Sequence, residues 1–251
     1  MTVAIVKNRM LQLGFQGMLP VMESVIDRLQ KGDLHVVEAL DQLFEHEWRY
    51  RQERATSTRK QRSKIRGGAN LEEFDLTVQR SITKADLRQL AKLEWCGKPL
   101  IFIGQTGVGK SYLARSLGLL ACEHGKTSLF VTVTDFLEML TTARACNGYL
   151  KFREKLVRPD VLILDDWGMR KFNAQEAEDL RDIIENRSYG KSTIITTQLP
   201  VDHWGEVIGD EVILDALVDR LEPPGQIIEI KGPSYRPMLK KKALEKKTAQ
   251  E

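Results

Sequence analysis

The chain has 251 residues, of which 42% are hydrophobic and 29% are charged. These proportions are typical of globular proteins, so they exclude a collagen-like chain and a wholly disordered one. No apolar run approaches the roughly 18 residues that a membrane-spanning helix needs, and we therefore expect a cytoplasmic protein. The cysteines Cys96, Cys122 and Cys146 are odd in number and widely spaced, which argues against disulfides or a structural zinc site and predicts buried thiols.

The net charge of +3 conceals two strongly basic segments. Residues 49–66 carry eight basic side chains and one acidic side chain, and residues 231–251 carry seven and two. A single basic run is often only a solvated helix face. Two such runs in a chain of modest net charge favour a polyanionic partner.

Residues 1–66 have helical periodicity and predict a small all-α N-terminal domain. Val21, Val25 and Leu29 recur at helical spacing after Pro20, and Gly32 ends that helix. A longer helix follows, and we expect its apolar stripe to pack in the core. The stripe consists of Leu34, Val37, Leu40, Phe44 and Trp48. The pair Gly67-Gly68 then interrupts the pattern and predicts the domain boundary.

Residues 67–98 predict a linker of short helices, with capping pairs at Asn70/Glu73 and Thr83/Asp86. From residue 99 to 236, short apolar strands alternate with helices, which indicates an α/β domain with a parallel sheet flanked by helices. Residues 237–251 form a basic tail without apolar periodicity. The predicted strands are Leu100–Ile103, Ser128–Val131, Val161–Leu164, Thr193–Thr196 and Ile227–Ile230.

A phosphate-binding loop follows the first of these strands and fits the pattern G-x-x-x-x-G-K-[ST]. The glycines allow backbone N–H groups to face phosphate oxygens at the start of a helix. The lysine reaches the β- and γ-phosphates, and the serine hydroxyl binds Mg²⁺. We predict that the loop and the first helical residue after it contact the nucleotide. These residues are Gly104, Gln105, Thr106, Gly107, Val108, Gly109, Lys110, Ser111 and Tyr112.

The strand Val161–Leu164 ends in Asp165 and Asp166. Two aspartates often simply begin a turn. With a phosphate-binding loop upstream, we predict instead that Asp165 holds Mg²⁺ and that Asp166 orients or deprotonates the attacking water. A second carboxylate and an intervening strand are typical of hydrolytic ATPases. Gln198, after the strand Thr193–Thr196, is then placed to bind the γ-phosphate or the water, unless it is only the polar end of a strand.

Arg220 is the candidate for an arginine finger that acts on a neighbouring subunit. The simpler interpretation is an ion pair with Asp219 or Glu222 on its own surface. Arg187 and Arg236 compete for similar roles.

With these motifs in order, residues 70–236 resemble the AAA+ ATPases. More narrowly they resemble the DnaC/IstB group, whose IstB members assist the transposition of bacterial insertion sequences, and residues 1–66 also resemble IstB. The narrower stretches are Thr197–Pro200 and Gly232–Arg236. The remaining motifs that carry the resemblance are Gly104–Ser111, Leu164–Gly168, His203-Trp204 and Asp219–Leu221.

The resemblance implies an AAA+ fold, ATP and Mg²⁺ as cofactors, and a ring-shaped or helical homo-oligomer. It implies binding to duplex DNA with little sequence preference and assistance to a cognate transposase in target capture. It also places Phe74, within Leu71–Phe74, beside the adenine. Asp166 stands where most AAA+ proteins have glutamate, and Gln198 where they have asparagine. Because few residues follow the last strand, Arg236 would replace the sensor arginine of a helical lid.

Two other functions share this ATPase pattern. A DnaC-type helicase loader would need a helicase-docking element, often stabilised by a metal. Residues 1–66 contain no cysteine and only His35 and His46, so they cannot form a zinc site. The other function is an ATP-bound DNA scaffold with little hydrolysis. A small-molecule kinase is disfavoured because no arginine-rich lid insertion interrupts the sheet.

Overall fold

The structure is a computed structural model that describes residues 3–78, 81–222 and 225–238. Among these residues, no helix combines the length and apolarity that crossing a membrane requires. The chain divides into two compact units, Met1–Thr58 and Arg59–Glu251. Of the predicted basic tail, residues 239–251 lie outside the described part.

The division lies earlier than the predicted boundary at Gly67-Gly68. The reason is that the end of the basic segment makes its contacts within the second unit and belongs to it. Arg59 Nε donates to the Cys122 carbonyl at 2.8 Å, and Lys60 forms an ion pair with Glu123 at 2.6 Å. The Ser63 carbonyl accepts from the Phe130 amide at 2.8 Å.

The first unit contains α1 (Val3–Gln12), α2 (Leu19–Lys31) and most of α3 (Val36–Arg62). As predicted, Pro20 stands at the start of α2 and Gly32 ends it, with a φ of +80° that glycine adopts without steric cost. The small core of this unit centres on Val25, Leu34 and Ala39.

The predicted apolar stripe of α3 is wrong as a core assignment. Leu34 is buried, but Val37, Leu40, Phe44 and Trp48 are exposed, Trp48 by 62%. The buried face of α3 instead carries Ala39, Leu43 and Glu47. The Glu47 carboxylate accepts a hydrogen bond from the Gly17 amide at 2.7 Å. A Cβ at Gly17 would lie 2.8 Å from the Glu47 Cα, so the backbone at Gly17 packs directly on the helix. Close packing at Gly17 therefore buries the face of α3 that carries Glu47, and the large apolar side chains lie on the exposed face.

The linker contains a 3₁₀ turn at Leu71–Glu73 and α4 (Lys84–Ala91). The Thr83/Asp86 capping box is confirmed in full. Asn70 also caps its turn, but its side chain accepts from the amide of Glu72 and not of Glu73. The short 3₁₀ turn explains the difference, because it brings the second residue nearest to the cap.

The second unit is built on a five-stranded parallel sheet in the order β2-β3-β4-β1-β5. All five predicted strands are confirmed, and β4 separates the two motif-bearing strands β1 and β3. The strands are β1 (Leu100–Gly104), β2 (Ser128–Thr132), β3 (Val161–Trp167), β4 (Ser192–Thr197) and β5 (Gln226–Ile230). The helices are α5 (Lys110–Glu123), α6 (Val133–Ala145), α7 (Tyr149–Val157), α8 (Ala174–Arg187), α9 (Gly205–Ile208) and α10 (Glu211–Leu221).

Two apolar clusters bury the sheet, one on each face. One includes Phe136, Leu180 and Leu217 from the helices that follow β2, β3 and β4, and the other includes Leu113 and Leu117 of α5. Crossover helices on both faces explain why the strands read as continuous apolar runs. The prediction of three buried thiols is wrong for two of them: Cys122 is buried, Cys96 is half-buried and Cys146 is exposed.

Candidate nucleotide-binding site

A cavity of about 670 Å³ opens where β1, β3 and β4 end. The carboxyl edge of a parallel sheet is the usual place for a ligand, because the strand-to-helix loops converge there. Most of the site residues predicted from the sequence line this cavity. They are Phe74, Thr106, Gly107, Gly109, Lys110, Ser111, Tyr112, Asp165, Asp166, Gln198 and Arg236.

The loop before α5 adopts conformations that only glycine tolerates easily. Gly107 has a φ of +85°, and a Cβ there would lie 2.1 Å from Ser234 Oγ. A Cβ on Gly104 would lie 2.2 Å from the Ile230 carbonyl oxygen. These two glycines therefore let the chain after β5 pack against the loop. Val108 is fully buried and supports the loop from the core side.

Lys110 is nearly buried, and the loop holds its side chain. Its Nζ donates to the carbonyls of Gly104 at 2.7 Å and Gln105 at 2.9 Å. Burial lowers the pKa of Lys110, while the carboxylates of Asp166 and Asp165 act in the opposite direction. The ammonium thus contacts the loop within electrostatic range of both aspartates, at the N-terminus of α5, where the helix dipole favours anions.

A β-bulge positions the two aspartates. The pairing of β3 with β4 passes from Leu164/Ile195 to Trp167/Thr197, so β3 has one extra residue where Asp165 and Asp166 lie. Asp166 has a φ of +59°, a left-handed conformation that is uncommon for aspartate. Strained backbone of this kind is frequent at functional sites. Burial, followed by the charge of Asp165, raises the pKa of Asp166.

Thr196 joins the two aspartates and was missed by the sequence analysis. It is fully buried, and its hydroxyl donates to Asp165 Oδ1 at 2.5 Å. Thr196 Oγ1 also accepts from the Asp166 amide at 3.1 Å. A single hydroxyl therefore orients one carboxylate and holds the backbone of the other. The signal was a polar residue at the end of the apolar strand β4, but its partner depends on the neighbouring strand.

Gln198 connects the end of β4 to the phosphate-binding loop. Its Oε1 accepts from Thr106 Oγ1 at 2.8 Å. Because Thr106 lies in the loop and Gln198 lines the same cavity, this bond holds the Gln198 amide against the phosphate-binding loop.

The linker and the segment after β5 close the other side of the cavity. The rings of Phe74 and Tyr112 lie 6.0 Å apart, and the Tyr112 hydroxyl donates to the Asn70 carbonyl at 2.9 Å. Tyr235 donates its hydroxyl to Asp75 Oδ2 at 2.5 Å and its amide to the Gly107 carbonyl at 2.8 Å. Asp75 and Tyr235 were missed because no local pattern joins residues so far apart in sequence.

Arg236, next to Tyr235, lines the cavity. Its positive charge adds to the effect of burial in lowering the pKa of Lys110 and opposes the rise in the pKa of Asp166, so its guanidinium lies within electrostatic range of both groups. The predicted site residue Arg236 thus lies at the end of the cavity that holds Lys110 and Asp166.

Arg220 and Arg187 do not line the cavity. Arg220 forms ion pairs with Asp219 and, at 3.1 Å, with Glu185. Arg187 is 1% exposed and donates to the carbonyls of Leu156, Pro159 and Ser192. Burial lowers the pKa of Arg187 to about 9, so it stays charged at neutral pH. Arg187 therefore anchors the start of β4 and cannot reach another subunit.

Ser111 and Asp165 supply one hydroxyl and one carboxylate to the cavity. Among the described residues, no group of three or more His, Cys, Asp or Glu side chains could hold a metal ion. A sparse oxygen set suits Mg²⁺, which usually binds through one or two protein ligands together with water and substrate phosphates.

The fold is that of AAA+ P-loop ATPases. A crystal structure of the DnaC helicase loader superposes with a TM-score of 0.55 and 24% identity, covering 65% of this chain and 97% of that one. DnaA from Aquifex aeolicus bound to AMPPCP superposes with a TM-score of 0.57 and 18% identity, covering 73% of this chain. The match spans 56% of that DnaA chain, little more than half of its length.

Sequence relatives extend over nearly the whole chain. A Sinorhizobium fredii protein is 35% identical over 226 residues, covering 89% of this chain and 92% of its own. A Pseudomonas aeruginosa protein of the insertion sequence IS21 is 32% identical over 224 residues, covering 88% and 84%. Both are named as ATP-binding proteins of insertion sequences. The family model described as IstB-like ATP binding protein matches residues 8–243, and the chain therefore belongs to the IstB-like family of ATP-binding proteins.

Proposed function

We propose that this protein is a Mg²⁺-dependent ATPase that assembles on duplex DNA and helps a cognate transposase to capture target DNA. The observation that carries the proposal is the single cavity shared by Lys110, Asp165, Asp166, Gln198 and Arg236. Membership of a family whose relatives are named for insertion sequences supports the connection with transposition.

The residues of the cavity have distinct roles in hydrolysis. Lys110 would bind the β- and γ-phosphates, and Ser111 and Asp165 would hold Mg²⁺, which would supply positive charge to neutralise the phosphates. Asp166 accepts a proton from the attacking water. Its raised pKa makes its carboxylate a stronger base than that of an ordinary aspartate. Gln198 orients that water, and Phe74 and Tyr112 pack beside the base.

Homo-oligomerisation would complete the site. Arg236 approaches the γ-phosphate within the subunit. Arg220, which is partly exposed near the end of α10, would reach the site of a neighbouring subunit after exchanging its surface ion pairs. Such an exchange is a modest cost, because exposed ion pairs contribute little stability.

The basic segment 49–66 would contact DNA phosphates without reading base edges. Some of its cations already have partners within the chain. Arg49 and Arg51 pair with Glu45 and Glu47, and Lys60 pairs with Glu123. The exposed Arg62, Lys64 and Arg66 are therefore the stronger candidates in the second unit.

The test combines assembly with turnover. Electron microscopy of the protein with duplex DNA and a non-hydrolysable ATP analogue should show ordered rings or helices. DNA-stimulated ATP hydrolysis and a transposase pull-down should accompany them. Assembly with negligible hydrolysis would support a scaffold, and binding to a replicative helicase in place of the transposase would support a loader. Absence of nucleotide binding would refute the proposal altogether.

A further inference from the structure

A second cavity, of about 460 Å³, lies in the second unit beside the nucleotide cavity. Four basic side chains line it, and we call it the basic cleft. Lys64 and Arg66 come from the segment after α3, Arg115 from α5 and Lys155 from α7. Three separate parts of the chain therefore bring positive charge to one place.

The cations of the basic cleft are close to one another. Partial desolvation lowers the pKa of Lys155, and Lys64 lies near enough for its charge to lower that pKa further. Lys64 also has a φ of +59°, which is uncommon for a residue with a side chain. Grouping like charges is unfavourable unless an anion neutralises them. The excess positive charge in the cleft therefore favours a bound anion.

Apolar and acidic groups limit what the ligand can be. Phe130 forms part of the wall, and the Arg115 guanidinium lies 5.8 Å from its ring centroid. Asp135 and Glu138 also line the cleft, so four positive and two negative charges leave a net charge of +2. A phosphate group held near the cations fits this distribution better than an acidic peptide spread over the whole cleft does.

Exposure indicates that the ligand continues beyond the cleft. Lys64, Arg66 and Lys155 are all exposed, whereas a pocket for a small free anion would enclose its binding groups. Lys64 and Arg66 also follow directly on the exposed Arg62 of the basic segment. A polymer with regularly spaced phosphates satisfies both observations.

We propose that the basic cleft binds the phosphate backbone of DNA. This inference rests on the proposed function, because it names the surface through which the second unit holds its DNA partner. Arg115 and Phe130 line both cavities, and Arg115 is the cation through which DNA in the cleft would contact the nucleotide site.

The test replaces Lys64 and Lys155 by glutamine (K64Q/K155Q), which removes two charges and keeps most of each side chain. The matched control is K98Q/K126Q, because Lys98 and Lys126 are exposed and precede β1 and β2 at the opposite edge of the sheet. Binding of a labelled duplex is measured by fluorescence anisotropy at several salt concentrations, and circular dichroism checks the fold. A K64R/K155R variant restores the charge.

The double glutamine variant should bind DNA about 10-fold or more weakly, and the slope of log affinity against log salt should flatten by about two, roughly one per lost phosphate contact. K98Q/K126Q and K64R/K155R should resemble the wild type. Equal affinity and slope in K64Q/K155Q and its control would overturn the inference and leave the proposed function intact. A wild-type protein that does not bind duplex DNA would overturn both.

A further experiment tests whether the basic cleft binds DNA or free polyphosphate. Sodium tripolyphosphate is added to a Lys110→Ala background, in which the phosphate-binding loop is disabled, and thermal stabilisation is measured. We expect no stabilisation that depends on Lys64 and Lys155. Stabilisation lost in K64Q/K155Q, together with unchanged DNA affinity, would assign the cleft to free polyphosphate and refute the DNA assignment.

Discussion

Replacement of Thr196 by valine (T196V) tests whether one hydroxyl organises the catalytic aspartates. Valine has nearly the shape of threonine, so the fully buried site keeps its packing and loses only hydrogen bonds. The change removes the donor to Asp165 Oδ1 and the acceptor for the Asp166 amide.

The structure sets the expected size of the effect. A hydrogen bond to a charged group contributes about 1.5–3 kcal/mol, and a buried polar group left without a partner costs about 1–3 kcal/mol. Water in the adjacent cavity can satisfy part of this loss. We therefore expect the free energy of unfolding to fall by about 2 kcal/mol, which corresponds to about 4–8 °C in Tm for a unit of this size.

Urea denaturation gives the stability change, and ATP hydrolysis is measured over a range of Mg²⁺ concentrations. Thr141→Val is a suitable control, because the Thr141 hydroxyl donates only to the Leu137 carbonyl within α6. T196V should require more Mg²⁺ for half-maximal turnover, since Asp165 loses the group that orients it. The control should change neither property appreciably.

Unchanged stability together with unchanged Mg²⁺ dependence in T196V would refute this account of Thr196. A loss of stability with normal Mg²⁺ dependence would leave Thr196 with a structural role only.

Four other substitutions address the remaining site residues. Lys110→Ala should weaken ATP binding by roughly 10- to 100-fold, the equivalent of one charged hydrogen bond. A normal ATP affinity, measured by titration calorimetry, would contradict the role of Lys110. Asp166→Asn should preserve ATP binding but slow hydrolysis by about 100-fold or more, and an unchanged rate would remove Asp166 from the mechanism. Because burial and Asp165 raise the pKa of Asp166 in the folded state, the folded protein binds this proton more tightly and gains stability as pH falls through that pKa. Asp166→Asn should therefore have a higher Tm than the wild type at pH 7.5, with the difference shrinking towards pH 4; a constant difference would contradict this. Arg187→Met should destabilise the protein by more than about 3 kcal/mol in urea, because several buried carbonyls lose their donor, and a smaller loss would show that water replaces the guanidinium. Arg220→Ala should bind ATP normally yet lose turnover in the assembly. When it is mixed with Lys110→Ala subunits, which keep Arg220, turnover should return, and its absence would argue against a role in trans.

The sequence alone determined the local features of this protein. Strand positions, the phosphate-binding loop, the helix end at Gly32 and the Thr83/Asp86 capping box depend on short-range patterns and backbone preferences. The aspartate pair could also be placed at the correct edge of the sheet, because parallel strands all end there.

Periodicity was less reliable for the N-terminal helices. The spacing of Val37, Leu40, Phe44 and Trp48 correctly indicated a helix, but a period cannot say which face another helix will cover. The core formed instead on Val25, Leu34 and Ala39. The position of the boundary likewise depended on the contacts of Arg59 and Lys60, which connect residues about sixty positions apart.

Only the tertiary structure identified the supporting residues of the site. The contact of Thr196 with Asp165, of Tyr235 with Asp75 and of Gln198 with Thr106 each joins segments far apart in sequence. The basic cleft also appears only when three separate segments meet. Local sequence fixes the chemical type and backbone conformation of each residue, whereas its partner is fixed by the packing of the whole chain.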